Sequence, residues 1–332
     1  MDQIVASDGA GLTTRNPSTW REYVSIARFD HATKHIFIIP GIVLATMFLG
    51  VDPGGWVVPV FFGFIVAVAI ASANYTINEY LDRETDRHHP KKSARAAVQT
   101  EMSGTIVALQ WLALFCIGMA AAAMVSPAML LVALGFAAQG IVYNVKPFRT
   151  KDIAYLDVLS EAVNNPFRLM IGWIMISHDT LPPSSILLAY WFGGAFLMGA
   201  KRLSEYRQIV ASHGKDLLVA YRRSFGGYTE EGLTSSVMMY ALLSISFLSI
   251  FLIKYRLEYL LLLPPIIFLF GRYLALSMHP ESMAQQPERL FREYGLMLVV
   301  ALIAVLFIVL SAVNIPLIEQ LIDQRFIVFP WT

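Results

Sequence analysis

One stretch decides the fold: the apolar run WVVPVFFGFIVAVAIASA at residues 56–73, followed by NEYLDRETDRHHPKK at residues 78–92. The first part has no charged side chain over eighteen residues. It therefore approaches the roughly 20 residues that a helix needs to cross about 30 Å of hydrocarbon. The second part carries four acids and four Lys or Arg side chains. This pattern indicates a membrane-spanning helix whose charged end lies at the membrane surface.

The composition of the whole chain also places it in a bilayer. Of its 332 residues, 56% are hydrophobic and only 15% are charged, whereas soluble domains carry about 25% charged residues. A second apolar run, YGLMLVVALIAVLFIVLSAV, begins at Tyr294. Because backbone inside hydrocarbon must satisfy its own hydrogen bonds, these runs predict an all-α integral membrane bundle.

The hydropathy pattern predicts about nine transmembrane helices. Their positions are 36–50, 56–78, 104–125, 127–144, 155–177, 184–205, 233–253, 258–278 and 294–313. Lys and Arg concentrate in alternate connections, so the positive-inside rule predicts a cytoplasmic N-terminus and an external C-terminus. Lys254 and Arg256 are the exception, because they fall in an external turn.

Three regions follow from these spans. Residues 1–35 are predicted to form a cytoplasmic arm, whose segment WREYVSIARFDHATKH forms an amphipathic helix on the membrane surface. Residues 36–313 form the transmembrane domain that holds the candidate catalytic residues, and residues 314–332 form a C-terminal tail. The single cysteine, Cys116, excludes an intrachain disulfide and a cysteine zinc site. A net charge of +1 without a basic stripe gives no indication of nucleic-acid binding.

Two polar stripes lie at the ends of predicted helices, and each repeats every four residues along one helix face. The first stripe consists of Asn78, Asp82 and Asp86. The second, within DVLSEAVNNPFR, consists of Asp157, Glu161 and Asn165. Carboxylates at a membrane boundary are costly and usually functional, and oxygen ligands combined with water and phosphate suit Mg²⁺. The alternative for the first stripe is a solvated helix end that neighbouring cations neutralise.

Basic side chains close to the stripes are candidates for binding phosphate groups. Three lie in YNVKPFRTKD and two lie at the end of the sixth span: Lys146, Arg149, Lys151, Lys201 and Arg202. Guanidinium and ammonium groups both bind phosphate, the first in a bidentate manner. The positive-inside rule alone also explains Lys and Arg in these short loops.

These motifs resemble those of the UbiA prenyltransferase superfamily. Its first motif, N-[D/E]-x-x-D-x-x-x-D, is matched by Asn78, Glu79, Asp82 and Asp86. Its second, D-x-x-x-D, is matched as Asp157-x-x-x-Glu161, with glutamate in place of the last aspartate. The resemblance covers roughly residues 20 to 315. The segments DRHHPKK, GAKRLSEYRQI and PERLFREYGLM are similar to the branch that transfers phosphoribose to decaprenyl phosphate.

This resemblance implies Mg²⁺-dependent transfer of 5-phosphoribosyl from 5-phosphoribosyl 1-diphosphate to a polyprenyl phosphate, with release of diphosphate. It implies catalytic roles for Asn78, Asp82, Asp86, Asp157 and Glu161. Mg²⁺ ligands would be Asp82 and Asp86, with Asp157 and Glu161 binding a second metal or contacting the ribose hydroxyls. Substrate-binding residues would be Glu79, Lys91, Lys146, Arg149, Lys151, Asn165, Arg168, Lys201 and Arg202. The protein would lie in a bacterial inner membrane with its active site facing the cytoplasm.

Two other functions remain open from the sequence. The superfamily's commoner activity transfers a prenyl group from a polyprenyl diphosphate to an aromatic ring, and it needs the same Mg²⁺-diphosphate site. A secondary transporter also carries ionisable residues near helix breaks. Both acidic stripes lie toward one membrane face rather than at the midplane, which disfavours transport. The length of the lipid chain and the oligomeric state are not defined by the sequence.

Overall fold

The protein folds as a helical bundle. The computed structural model describes residues 16–49, 55–89, 92–278 and 293–318. Its α-helices are α1 Trp20–Ile26, α2 Ile39–Leu49, α3 Val57–Asp86, α4 Ala96–Gln99, α5 Gly104–Ala123, α6 Pro127–Asn144, α7 Leu156–Ala162, α8 Asn164–Ile174, α9 Ser184–His213, α10 Lys215–Tyr221, α11 Glu230–Tyr255, α12 Leu263–Ser277 and α13 Tyr294–Ala312. Short 3₁₀ helices span Phe29–Ile38, Lys92–Ala94, Thr150–Asp152, Arg223–Gly227 and Leu257–Leu262. Within these ranges, extended pairing is limited to one bridge between Pro17 and Glu101.

The all-helical membrane class predicted from the sequence is confirmed, whereas the count of nine spans is not. Six helices in the described part are long and apolar enough to cross a membrane: Val57–Asp86, Gly104–Ala123, Pro127–Asn144, Glu230–Tyr255, Leu257–Ser277 and Tyr294–Ala312. The predicted span at 36–50 corresponds to a shorter apolar helix, Lys34–Leu49. The span predicted at 184–205 lies in α9, whose last turns are polar and charged.

The predicted span at 155–177 differs most from expectation, because two short helices, α7 and α8, replace one continuous helix. Val163 separates them, and Pro166 follows in the first turn of α8. Proline has no N–H to donate to the carbonyl four residues earlier, and its ring crowds that carbonyl. The chain therefore breaks next to the second acidic motif.

The helices form two groups that α7 and α8 join. In the first group, α3 packs against α5 and α6 around a core that includes Val66, Ile70 and Phe136. In the second, α9 packs against α11 through residues such as Phe196 and Tyr240. Helix α8 contacts α2, α6 and α9, while α7 contacts α9. Helix α6 contacts both α3 and α7, and the two acidic motifs both contact its last residues.

The N-terminal arm is less regular than the predicted amphipathic helix. Helix α1 ends at Ile26, and Arg28 adopts a left-handed backbone conformation with φ 52° before the 3₁₀ helix begins at Phe29. Trp20 and Phe29 are exposed, as the prediction of a membrane-surface anchor requires. The first fifteen residues, residues 279–292, which include the first six residues of PERLFREYGLM, and the chain beyond residue 318 lie outside the described residues.

Helices α2 and α8 cross at two glycines. A Cβ atom at Gly41 would overlap the main chain of α8 at Leu169, and one at Gly172 would overlap the carbonyl of Ile38. Small residues allow such close backbone approach between membrane helices. This crossing holds the residues before α2 against α8, next to the candidate site.

We expect Gly172→Ala to lower the melting temperature of the detergent-purified protein, since overpacking a tight contact costs about 1–3 kcal/mol. The matched control is Gly271→Ala in α12, where an added Cβ has nothing within 4 Å. That substitution is expected to keep or raise the melting temperature, because alanine is the better helix former. Equal melting curves for the two variants would contradict the close crossing.

Candidate functional site

The first acidic motif forms a charged cluster at the end of α3. Asp82 lies in the second-last turn, and its side chain is 18% exposed. Its Oδ1 atom is 2.5 Å from Nζ of Lys151 and accepts a hydrogen bond of 3.1 Å from Nη2 of Arg149. Arg149 also donates to Oδ2 of Asp152 at 2.9 Å. The structure thus brings together one predicted acid and two predicted phosphate-binding cations.

An asparagine that the sequence did not indicate connects this cluster to α6. Oδ1 of Asn144 accepts hydrogen bonds from Nδ2 of Asn78 at 2.5 Å and from Nζ of Lys151 at 2.8 Å. Asn144 is the last residue of α6, directly before the basic loop, and that position is the one signal that could have found it. Burial lowers the pKa of Lys151 to about 8, although the neighbouring Asp82 carboxylate opposes this shift.

The loop after α6 is held in an unusual backbone conformation. Arg149 has φ 32° and Tyr155 has φ 65°, both in the left-handed region. Such values are uncommon for residues other than glycine, and strained backbone clusters at functional sites. Between these two residues the chain forms the 3₁₀ turn Thr150–Asp152, which directs Lys151 toward Asp82.

Two other residues of the first motif face different surroundings. Asp86 is 2% exposed and is paired with Nη1 of Arg95 at 2.8 Å and with Nζ of Lys92 at 3.6 Å. Among the described residues, Glu79 has no ion pair or hydrogen bond to the Asp82 cluster, and its substrate-binding role stays a prediction. It lines a separate cavity of about 450 Å³ with Arg28 and Arg95, and its Oε2 is 3.9 Å from Nη1 of Arg28.

Asp157 of the second motif is completely buried and surrounded by donors. Its Oδ1 accepts a short hydrogen bond from the hydroxyl of Tyr228. Its Oδ2 accepts from Oγ of Ser224 at 3.0 Å, from Nη2 of Arg222 at 3.0 Å and from Nε of Arg202 at 3.3 Å. Both oxygens are therefore engaged, and two guanidinium groups neutralise the charge.

Glu161 is the more accessible acid of the second motif, with a side chain that is 30% exposed. Its Oε2 accepts from the hydroxyl of Tyr143 at 3.0 Å and from Nη2 of Arg202 at 3.3 Å. The hydroxyl of Tyr143 also accepts from Nη2 of Arg222 at 3.0 Å. Because Tyr143 precedes Asn144 in α6, the two acidic motifs contact neighbouring residues of the same helix.

A further contact links the motifs beyond the end of α3. Nη1 of Arg202 donates to Oε2 of Glu205 at 2.9 Å, and Oε1 of Glu205 lies 3.8 Å from Nε2 of His89. The His89 ring also packs edge-on against Tyr221 in α10. The segment after α9 therefore covers this end of the bundle.

The remaining predicted site residues differ in how deeply they are buried and in how close they lie to the two motifs. Lys146 is exposed and Lys91 lies outside the described residues. Asn165 packs against α9 at Gly194, and Lys201 is partly buried near Glu161 and Glu205. Arg168 is 5% exposed. The sequence did not indicate Tyr143, Ser224 or Tyr228, because the last two reach Asp157 from more than sixty residues away.

The donor set of the first motif fits Mg²⁺, and that of Asp157 does not. In the described part of the chain, no three His, Cys, Asp or Glu side chains are grouped as a metal site. Mg²⁺ commonly binds through one or two carboxylates, with water and substrate phosphates completing its shell. Asp82 with the amide oxygen of Asn78 suits such a site. Asp157 is completely buried, its Oδ1 accepts from Tyr228 and its Oδ2 accepts from Ser224 and two arginines.

Fold and site together define a class: a helical membrane protein with clustered carboxylates and cations at one end of its bundle. The model of the UbiA prenyltransferase family matches residues 38–298. This chain therefore belongs to the UbiA prenyltransferase family, as the two motifs predicted.

Individual relatives are distant. The uncharacterized protein y4nM of Sinorhizobium fredii is 29% identical over 157 residues, which are 47% of this chain and 29% of that protein. Protoheme IX farnesyltransferase of Alkalihalophilus pseudofirmus is 23% identical over 210 residues, 61% of this chain and 66% of that protein. The chain thus spans less than two thirds of each. A UbiA homolog from Archaeoglobus fulgidus bound to GPP and Mg²⁺ has a TM-score of 0.65 at 20% identity, covering 88% of this chain and 100% of that one.

Proposed function

We propose that this protein transfers a 5-phosphoribosyl group from 5-phosphoribosyl 1-diphosphate to a polyprenyl phosphate and releases diphosphate. The observation that supports this proposal is that two arginines, Arg202 and Arg222, form ion pairs with Asp157 of the second acidic motif. An allylic diphosphate presents one anionic group. The sugar donor presents a second phosphate and two hydroxyls, and so requires cations at a second position. Arg202, Arg222 and Lys201 supply that position.

The donor would lie across the two motifs, which Tyr143 and Asn144 connect. Lys151 and Arg149 bind the diphosphate and neutralise the charge that develops on it as the bond to C1 of ribose breaks. Glu161, the accessible acid, accepts hydrogen bonds from the ribose hydroxyls. An oxygen of the acceptor phosphate forms the new bond to C1, and the electron pair of the broken bond leaves with diphosphate. The acceptor phosphate is already an anion, so no histidine base is needed.

Asp82 and Asn78 would hold Mg²⁺, and Asp86 supports the end of α3 through Arg95 and Lys92. When bound, Mg²⁺ acts as a Lewis acid on the leaving diphosphate. Among the relatives, the homolog from Archaeoglobus fulgidus was solved with Mg²⁺. Ion pairs such as Lys151 with Asp82 keep the site neutral without substrate. A Mg²⁺-diphosphate can exchange with them, because it presents a cation to the carboxylate and anions to the lysine.

Transfer of a prenyl group to an aromatic acceptor is the second candidate. It is favoured by two relatives, one named a farnesyltransferase and one solved with GPP and Mg²⁺. The Asp82 cluster serves both reactions equally. The comparisons lend no support to the transporter alternative. For either reaction we propose that the site faces the cytoplasm at a bacterial inner membrane, which the basic loops support through the positive-inside rule.

The deciding experiment uses the detergent-purified full chain with Mg²⁺ and two substrate pairs. One pair is labelled 5-phosphoribosyl 1-diphosphate with polyprenyl phosphate, and the other is labelled geranyl diphosphate with 4-hydroxybenzoate. We expect label to enter lipid in the first pair only, and to vanish with EDTA. Label transfer in the second pair alone would overturn the proposal in favour of prenyl transfer.

A further inference from the structure

Arg168 is a buried cation that lacks an anionic partner. It is 5% exposed, its Nη1 donates a long hydrogen bond, 3.3 Å, to the carbonyl of Asn164, and the Tyr75 hydroxyl is a second hydrogen-bonding neighbour. Its Nε has no hydrogen-bond partner among the described residues. No carboxylate in that part of the chain lies within ion-pair distance, although Glu161 acts on it from further away. A buried charge without an ion-pair partner is costly, so this position favours the binding of an anionic ligand.

Lys34 contributes a second cation to the same place. It lies in the 3₁₀ helix Phe29–Ile38, which packs against α8, and its Nζ is 5.2 Å from the centre of the Tyr75 ring. The Tyr75 hydroxyl is a hydrogen-bonding neighbour of Arg168. Lys34 also makes no ion pair within the described ranges. Next to it, Nδ1 of His35 is buried without a hydrogen-bond partner in that part of the chain. Two cations, a phenol and an imidazole therefore lie near one another, and Glu161 acts on both cations from beyond ion-pair distance.

This group of Lys34, His35, Tyr75 and Arg168 lies deeper than the diphosphate site. Tyr75 precedes Asp82 by seven residues of α3, which is about 10 Å along the helix toward the membrane interior. The guanidinium of Arg168 lies 5.5 Å from the ring centre of Phe136, which stacks on Phe167. Apolar rings beside a cationic group suit a phosphate that is carried on a hydrocarbon chain.

We infer that Lys34 and Arg168, with Tyr75 and His35, bind the phosphate of a lipid phosphate monoester that reaches the site from the membrane side. This assignment rests on the proposed function, in which the four side chains form the subsite for the acceptor phosphate. Donor and acceptor anions then occupy different levels of the bundle, and the acceptor oxygen approaches the ribose from below the diphosphate. The ammonium and guanidinium bind the phosphate through charge-assisted hydrogen bonds.

Binding is tested without the reaction, in EDTA, by the rise in melting temperature that farnesyl monophosphate causes. Farnesol serves as the uncharged probe and phosphatidate as the bulk-lipid probe. We expect a rise with farnesyl monophosphate and none with farnesol. Lys34→Met and Arg168→Met should each weaken farnesyl monophosphate binding by about 10- to 100-fold, as the loss of a charge-assisted hydrogen bond does. The matched control, Lys254→Met on exposed α11 surface, should bind like wild type.

Stability separates ligand binding from a structural role. Arg168→Met should fold with an unchanged or higher melting temperature without ligand, because it removes an unpaired buried charge. A large fall in melting temperature, or unchanged binding in both variants, would overturn the inference. A rise with phosphatidate equal to that with farnesyl monophosphate would overturn the acceptor assignment and indicate a site for bulk phospholipid.

The inference and the proposed function can fail separately. If farnesyl monophosphate binding depends on Arg168 but no phosphoribosyl transfer is found, the anion site is supported and the proposed reaction is contradicted. If transfer occurs and Lys34→Met leaves the KM for polyprenyl phosphate unchanged, the proposed reaction is supported and the acceptor subsite is contradicted. A rise in that KM with an unchanged KM for the sugar donor supports both.

Discussion

Asp82→Asn is expected to lower turnover by about 10²- to 10³-fold, the loss seen when one group that stabilises developing charge is removed. Asp82 is the carboxylate that both Lys151 and Arg149 contact. The amide retains the shape of the side chain but cannot balance these cations, and it is a weak ligand for Mg²⁺. The loss should therefore appear in kcat as well as in KM for the diphosphate donor.

The measurement is initial-rate kinetics with the substrate pair that the wild type uses, together with a melting curve for each variant. Asp179→Asn, which removes an exposed carboxylate from the loop between α8 and α9, is the matched control and should retain wild-type turnover. A folded Asp82→Asn protein with more than about a tenth of wild-type turnover would show that Asp82 lies outside the catalytic machinery.

Asp157→Asn is expected to act on stability. Removing one partner of a buried ion pair typically costs about 3–5 kcal/mol, since the other charge is left without compensation. Here two arginines, Arg202 and Arg222, would be left facing a neutral amide. The same carboxylate ties the turn at Ser224 and Tyr228 to α7, so that turn should loosen as well.

Thermal unfolding in EDTA distinguishes this role from metal binding. If Asp157 were a metal ligand, its neutralisation would leave the metal-free protein as stable as the wild type or more so. Glu161→Gln is the matched control, because Glu161 is more exposed and, among the described residues, its side chain accepts hydrogen bonds from Tyr143 and Arg202 only. We expect a clearly smaller fall in melting temperature for Glu161→Gln, and equal falls would contradict the anchoring role of Asp157.

The spacing of the sequence accounts for one feature of the first motif. A spacing of four residues places Asn78, Asp82 and Asp86 on one helix face whatever the helix contacts. The basic loop that follows α6 was predicted to bind phosphate; the structure places its Arg149 and Lys151 against Asp82, and their phosphate-binding role stays a prediction. What each acid contacts was not predictable, because Asp82 meets the α6 loop whereas Asp86 meets Arg95 and Lys92. Glu79 lines the separate cavity that Arg28 and Arg95 also line.

For the second motif, the spacing of the acids does not predict what each carboxylate contacts. Asp157 and Glu161 match a metal-binding pattern in sequence, but their partners come from α6, α9 and the segment before α11. Ser224 and Tyr228 carry no pattern of their own that points to Asp157. The sequence could not show that arginines and a tyrosine would saturate this carboxylate, and so could not separate a metal ligand from an anchor.

By itself the sequence determined the membrane class, the helical fold and the family, since hydrophobic length and helical period act locally along the chain. Tertiary structure decided which carboxylates remain available to a ligand and which cations remain unpaired. Arg168 was predicted only as one of several substrate-binding residues and Lys34 was not singled out, and it is the packing of the 3₁₀ helix Phe29–Ile38 against α8 that brings them close together without an ion-pair partner. The reason is physical: the charge balance of a buried site depends on contacts between side chains of different helices. Neither the spacing of residues nor the composition predicts those contacts.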